Sequence, residues 1–272
     1  NWVTGLIVNG AHCSAYASWG QKICMIPVIL VTISKTARDR TAMARLGLLE
    51  TDTLYDELID DYGSYGKMFA GFFDALGGQL SYRHYQVQAG ELPQHPDECD
   101  AYLITGSKAG VYEPLPWIPA LQEWIVDFHR RRAPIIGICF GHQIIAHSLG
   151  GTAAKSDKGW GLGVLACEQS LSRDGSTLRL IHSHQDQVIT LPPEAVRLAG
   201  CDFCPNAALA IDNRVLTFQG HPEFTPVYLQ RLLTQRKGRI DSAVMERALA
   251  SLATATDHER VGRYLLDFIY RK

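Results

Sequence analysis

The chain has no marked excess of charge of either sign. Its 26 lysines and arginines stand against 28 acids, a formal net charge of −2. That balance gives no electrostatic reason to expect a nucleic acid or an anionic membrane as partner, and points to a small-molecule substrate. A bilayer-length apolar run is also lacking. The run "ICMIPVILVTI", Ile23–Ile33, is shorter than the ~20 residues a spanning helix needs. Cysteine is sparse: seven residues, odd in number and irregularly spaced, in a chain too long to need disulfide staples. This pattern predicts reduced thiols and a cytoplasmic placement. Cys201 and Cys204 form one CxxC, but no second pair or histidines at ligand spacing accompany it, so no metal is implied. No P-loop occurs. "KGWGLG", Lys158–Gly163, precedes a strand instead of opening a helix, so it reads as a turn or active-site flap and implies no nucleotide cofactor.

A stretch rich in Pro, Gly or Ser that could divide residues 45–240 is missing as well, as are internal repeats and low-complexity tracts. The expected organisation is a single domain over residues 43–237 and a helical tail over 238–272 that packs on it. Residues 1–42 read differently. The chain starts at Asn1, and "MARLGLLETD" at Met43 opens directly into a well-formed strand. Ile23–Ile33 could be a buried strand. The preferred reading makes Met43 the natural start and residues 1–42 upstream translation, a fusion scar or a poorly packed extension.

What the sequence does hold is regular alternation. "RLGLLE" is a buried strand, and "YGKMFAGFFDALGG" follows with Met68, Phe69, Phe72, Phe73 and Leu76 at helical spacing and Gly77 as C-cap. "QLSYRHYQV" and "DAYLITG" are strands. "WIPALQEWIVDFHRRR" is a helix with a stripe at Trp117, Leu121, Trp124, Ile125 and Phe128. "APIIGIC" is a strand and "FGHQIIAHSLGG" a helix closed by glycine. Alternation of this kind predicts an α/β fold, a flavodoxin-like mainly parallel sheet flanked by helices. After Gly151, "GLGVLACEQ", "TLRLIHSH", "AVRLAGC", "ALAIDN" and "RVLTFQG" predict added antiparallel strands. Helices are expected around "VYLQRLLTQRK" and "VGRYLLDFIYRK".

Ligands of open α/β sheets bind at the carboxyl ends of the strands. Cys139 in "GICFGHQ" falls at such an end, in a G-x-C-x-G that fits a sharp strand-to-helix turn. A thiol at a helix N-terminus gains thiolate character, and the Phe140 N–H would face an oxyanion. "FQGHPEF" ends another apolar strand and supplies a base, His221, and an orienting acid, Glu223, around the stiffening Pro222. The order nucleophile, histidine, acid argues against an α/β-hydrolase. His142, His147, His182 and the other cysteines read as ordinary packed residues.

"GICFGHQ", "QGHPEF", "LITGS" and "HSHQDQV" together resemble the class I glutamine amidotransferases over about Leu46 to Phe224. The resemblance implies a Cys-His-Glu triad of Cys139, His221 and Glu223, with Cys139 forming a γ-glutamyl thioester. Thr105, Gly106, Ser107 and Lys108 stand where that family carries S-G-G-P, so the oxyanion donors implied are the N–H groups of Ser107 and Phe140. Gly106, Gln143, His184, Gln185 and Asp186 match substrate-bordering positions, the last three in a loop. "GICFGHQ", "KGWGLG" and "SHQDQV" are similar to the γ-glutamyl peptidase-like and GMP-synthase-like single-domain branch. The implied activity is stand-alone hydrolysis of glutamine or a γ-glutamyl compound. The alternatives are a glutaminase subunit that supplies ammonia to a separate synthetase, and a regulatory protein that retains the site.

Overall fold

The computed structural model of the protein describes residues 43–171 and 176–271. The readings of residues 1–42, the Ile23–Ile33 run included, lie outside the described residues.

The parallel half of the sheet is built from segments that are apolar on both faces. The strands β1 (Ala44–Glu50), β2 (Leu80–Gln86), β3 (Ala101–Ile104) and β4 (Ile135–Ile138) arise as expected. Every residue of β3 and β4 is buried, as parallel strands covered by helices on both sides require. The helices between them are α1 (Asp56–Tyr62), α2 (Tyr65–Ala75) and α3 (Trp117–Arg130). In α2, Met68, Phe69 and Phe73 are buried. Gly77, at φ 76°, closes the helix: its N–H reaches the Asp74 carbonyl and that of Gly78 the Phe73 carbonyl, a Schellman closure. In α3 the stripe Leu121, Trp124, Ile125 and Phe128 is buried, while Trp117 packs against Phe140.

The chain then passes through α4 (Phe140–Ser148), β5 (Thr152–Lys155), β6 (Gly161–Gln169), β7 (Thr177–His184), β8 (Asp186–Thr190), β9 (Ala195–Gly200), β10 (Ala208–Ile211) and β11 (Val215–Phe218). The nine-stranded sheet has the order β2-β1-β3-β4-β11-β10-β9-β6-β7. Pairings from β2 to β11 are parallel, and those from β11 to β7 are antiparallel. The first five strands therefore have the 2-1-3-4-5 order of a flavodoxin-like sheet, extended by antiparallel strands. A second sheet, β5 with β8, was not anticipated. Its strands are only partly buried and carry no apolar run.

Three helices complete the described chain: α5 (Pro226–Gln235), α6 (Ser242–Ser251) and α7 (His258–Ile269). Helix α7 places Val261, Leu265 and Phe268 in the cluster formed by Leu46, Phe69 and Phe73. Helix α6 contributes Ala248 to the cluster of Leu162 and Tyr228.

The β4–α4 junction is sterically tight. A Cβ on Gly141 would meet the Ile104 carbonyl oxygen at 2.2 Å, and one on Gly137 the Gly141 oxygen at 2.5 Å. Gly141→Ala should destabilise the protein by about 1–3 kcal/mol, as overpacking does. At Gly71 in α2 nothing lies within 4 Å, so Gly71→Ala should stabilise by about 0.5–1 kcal/mol. Urea unfolding of both variants checks the contrast, and equal effects would contradict it.

Candidate active site

Strand ends β1, β3, β4 and β11 meet at one edge, and each supplies part of a cleft. Cys139 follows β4 as the N-cap of α4, with φ 54° and ψ −102°. A non-glycine residue at positive φ costs about 1–3 kcal/mol and persists only where its surroundings enforce it. Here the Cys139 N–H donates to the Phe218 carbonyl of β11 at 2.9 Å, and the Gly141 N–H donates to Thr105 beyond β3 at 3.1 Å. The Gln143 N–H closes the first helical turn on the Cys139 carbonyl at 3.0 Å. The Phe140 amide lies three positions before that of Gln143, the first that the helix satisfies internally. The Phe140 ring packs against Trp117, and the residue is fully buried.

After β11 the chain turns at Gly220, where a Cβ would collide with Leu180 and His182. The His221 N–H then donates to the Ile181 carbonyl at 2.8 Å, tying the turn to β7. His221 Nδ1 lies 2.7 Å from Glu223 Oε1, and the imidazole stacks on Phe224 with 3.8 Å between centroids. The ring is thus fixed by its edge and by its face, beside Cys139. Burial alone would depress its pKa. The Glu223 carboxylate and Cys139 reverse this and raise it to about 10. Gly106 completes the group, since a Cβ there would lie 3.0 Å from His221 Cε1 and 3.6 Å from Cys139 Cβ.

Three other buried histidines show the opposite effect. Burial lowers His184 to about 4 and His142 to about 3, and drives His182 well below its ordinary value. All three are therefore neutral near pH 7. The Asp186 carbonyl accepts from His184 Nδ1 at 2.9 Å, which leaves His184 Nε2 to accept from His182 Nδ1 at 3.1 Å.

The cleft above Cys139 has a volume of about 330 Å³. Ser107, Gln143, His184, Gln185 and Asp186 all line it. His184 and Asp186 are not in an open loop: they end β7 and begin β8, with Gln185 alone between them. Gln143 lends its amide to the scaffold, donating to the Asp186 carbonyl at 2.8 Å and to Gln219 Oε1 at 3.1 Å. Trp160, from the expected flap, also lines the cleft.

Several contributors carry no local sequence signal. Thr51, after β1, donates from its hydroxyl to the carbonyls of Thr105 and Gly106 at 3.1 Å each. Asp52 accepts the Lys108 N–H at 2.7 Å and pairs with Lys108 Nζ at 2.9 Å, fixing the loop that carries Ser107. Arg236, just past α5, donates to Ser183 Oγ at 2.9 Å and lies over the Trp160 ring. Only their position at strand and helix ends on the active edge could have singled these residues out.

Residues 57–236 match the family described as Glutamine amidotransferase class-I. Gamma-glutamyl peptidase 2 of Arabidopsis thaliana is 29% identical over 204 residues, covering 70% of this chain and 81% of that protein. A glutamine-hydrolysing GMP synthase of Vibrio cholerae is 28% identical over 183 residues, which cover 64% of this chain but 34% of the synthase. Among solved structures, a glutamine amidotransferase from Thermotoga maritima shares the fold with a TM-score of 0.63. Its sequence identity is 21%, and the match covers 84% of this chain and 96% of that one. The chain belongs to the class I glutamine amidotransferase family. It is a glutamine amidotransferase-like, hydrolase-type enzyme. Among the described residues no helix is long and apolar enough to cross a membrane.

The raised His221 pKa fixes a pH dependence. A histidine whose folded pKa exceeds its unfolded value of about 6.5 contributes stability that is complete below that value. The contribution is lost as pH rises through the folded value of about 10. Glu223→Gln should bring the His221 titration, followed by NMR, to clearly lower pH and narrow that window. An unmoved midpoint would contradict the assigned cause.

Proposed function

We propose that the protein hydrolyses γ-glutamyl amide bonds through a thioester on Cys139. The observation that carries this reading is the strained Cys139 turn against an imidazole whose Nδ1 is held by Glu223 at 2.7 Å. His221 takes the thiol proton, and the sulfur attacks the γ-carbonyl carbon of the substrate. The N–H groups of Ser107 and Phe140 receive the oxyanion, each such donor being worth about 3 kcal/mol. His221 then returns its proton to the departing ammonia or amine. Water, deprotonated by the same imidazole, attacks the thioester, and glutamate leaves with Cys139 restored as thiol.

The cleft is bipolar, which suits the zwitterionic head of a glutamyl group. Arg236 has no carboxylate partner among the described residues and faces the cleft beside Cys139 and Ser183. Asp186 and Glu113 line the same cleft. Arg236 is assigned to the α-carboxylate and Asp186 to the α-ammonium. A γ-glutamyl peptide or conjugate is favoured over glutamine alone, because the cleft continues beyond the nucleophile to Tyr112, Lys155 and Trp160. The similarity to gamma-glutamyl peptidase 2 supports the same choice. The alternative, a glutaminase subunit with a separate synthetase, draws support from the match to one third of a GMP synthase.

Glutamate release from glutamine and from γ-glutamyl dipeptides separates these readings. Peptide hydrolysis without any synthetase is expected, falling at least about a thousandfold in Cys139→Ala. Arg236→Ala should raise KM roughly ten- to a hundredfold with little change in kcat, since charge-assisted hydrogen bonds contribute about 1.5–3 kcal/mol. Equal rates for wild type and Cys139→Ala would overturn the proposal. Hydrolysis of glutamine only when a synthetase is added would favour the subunit.

A further inference from the structure

Three of the five described cysteines converge where β6 meets β9, and the mechanism above uses none of them. The antiparallel register pairs Glu168 with Gly200 and Gln169 with Ala199. One step further along that register, Cys167 faces Cys201. The Ser170 N–H donates to the Leu198 carbonyl, which makes Gln169/Ala199 a non-hydrogen-bonded pair. By the alternation of antiparallel ladders, Cys167/Cys201 is another. Such pairs have Cα atoms ~4.5 Å apart, inside the span a disulfide accepts, about 4.4–6.8 Å. The two sulfurs lie 3.0 Å apart as free thiols.

The surroundings divide the labour between them. Cys201 is half-buried, at the head of a tight turn. Its own N–H donates to the Cys204 carbonyl at 3.0 Å, and the Cys204 N–H points back at its sulfur at 3.5 Å. Cys167 is 1% exposed and Cys204 fully buried. Donation from the Cys167 thiol, helped by the Cys204 and Phe203 amides, lowers the Cys201 pKa to about 6. The Cys167 thiol is pushed up by that same bond and by burial. Burial pushes Cys204 up to about 12. Among the described residues no group of three or more His, Cys, Asp or Glu is placed to hold a metal ion.

We propose that Cys167 and Cys201 form a thiol pair that hydroperoxides oxidise to a disulfide, with Cys201 attacking and Cys167 resolving. The Cys201 thiolate attacks one peroxide oxygen; an S–O bond forms, the O–O bond breaks, and the departing oxygen takes a proton. The Cys167 thiol then gives up its proton, and its sulfur attacks the sulfenic sulfur of Cys201. The S–S bond forms as the S–O bond breaks, and the hydroxide leaves as water. Two thiols lose two electrons and one peroxide is reduced.

The test uses the full chain carrying Cys139→Ser, so that the nucleophile takes no oxidant. The reduced protein is treated with stoichiometric hydrogen peroxide, alkylated and digested without reduction. Peptide mass spectrometry should show the Cys167 peptide joined to the one bearing Cys201 and Cys204. Fragmentation should place the bond on Cys201, and dithiothreitol should reverse it. The link should persist in Cys204→Ser and vanish in Cys201→Ser, while Cys167→Ser should leave Cys201 a sulfenic acid that a second equivalent of peroxide carries to sulfinic acid. Alkylation of both Cys167 and Cys201 after peroxide would overturn the proposal, as would a Cys201–Cys204 loop in place of the cross-link. Fragmentation of the Cys139→Ser product alone decides the matter should any of the other variants fail to fold.

Discussion

The backbone of Cys139 sits at φ 54° because two neighbouring strand ends leave it no alternative. Its N–H is bonded to the end of β11, and the amide of Gly141 is bonded just beyond β3. The space between Gly137, Gly141 and Ile104 is too narrow for a Cβ. Each of those hydrogen bonds contributes about 0.5–1.5 kcal/mol, comparable to the strain it opposes, about 1–3 kcal/mol. The turn is therefore held by the parallel core and not by its own residues. The same packing that excludes side chains at 137 and 141 leaves the Cys139 thiol and the Phe140 amide at the active edge. Thr51 and Asp52 extend the constraint by bonding the adjacent loop, so that Gly106 and Ser107 face the thiol from the other side.

Electrostatics separates one histidine from its neighbours. His142, His182, His184 and His221 are all deeply buried, and burial pushes every one of them toward the neutral form. Of these four, His221 alone has a carboxylate on its Nδ1, and that contact, with Cys139 beside it, reverses the direction of the shift. The contrast is a difference of partners at nearly constant burial. Neutral His182 and His184 instead form a hydrogen-bonded run that ends on the Asp186 carbonyl and steadies the β7–β8 turn.

Much of this arrangement was legible in the residues. Strongly periodic segments such as α3, and fully apolar ones such as β3 and β4, are found where their pattern put them, because burial on one stripe or on both faces writes itself into sequence. Helix α1 was missed because "DELIDDY" buries only Leu58, and α6 because only Ala248 of its ten residues is buried. Strands β5 and β8 were missed because, unlike the equally short β3 and β4, they are only partly buried and form no apolar run. In the site, the glycine-flanked cysteine and the His-Pro-Glu stood out because a tight turn and a rigid pair each demand particular residue types. Thr51, Asp52 and Arg236 act through partners about 50 residues away. Nothing local distinguishes such residues from ordinary surface polar groups.

Covalent attachment of a glutamyl group to the strained cysteine can be read by intact-protein mass spectrometry. Acid quenching during turnover of a γ-glutamyl dipeptide should reveal a population heavier by one γ-glutamyl group, with the adduct on Cys139 and discharged by hydroxylamine. The adduct should be absent from Cys139→Ala. Glutamate production with no adduct at any quench time, or an adduct on another residue, would contradict the account.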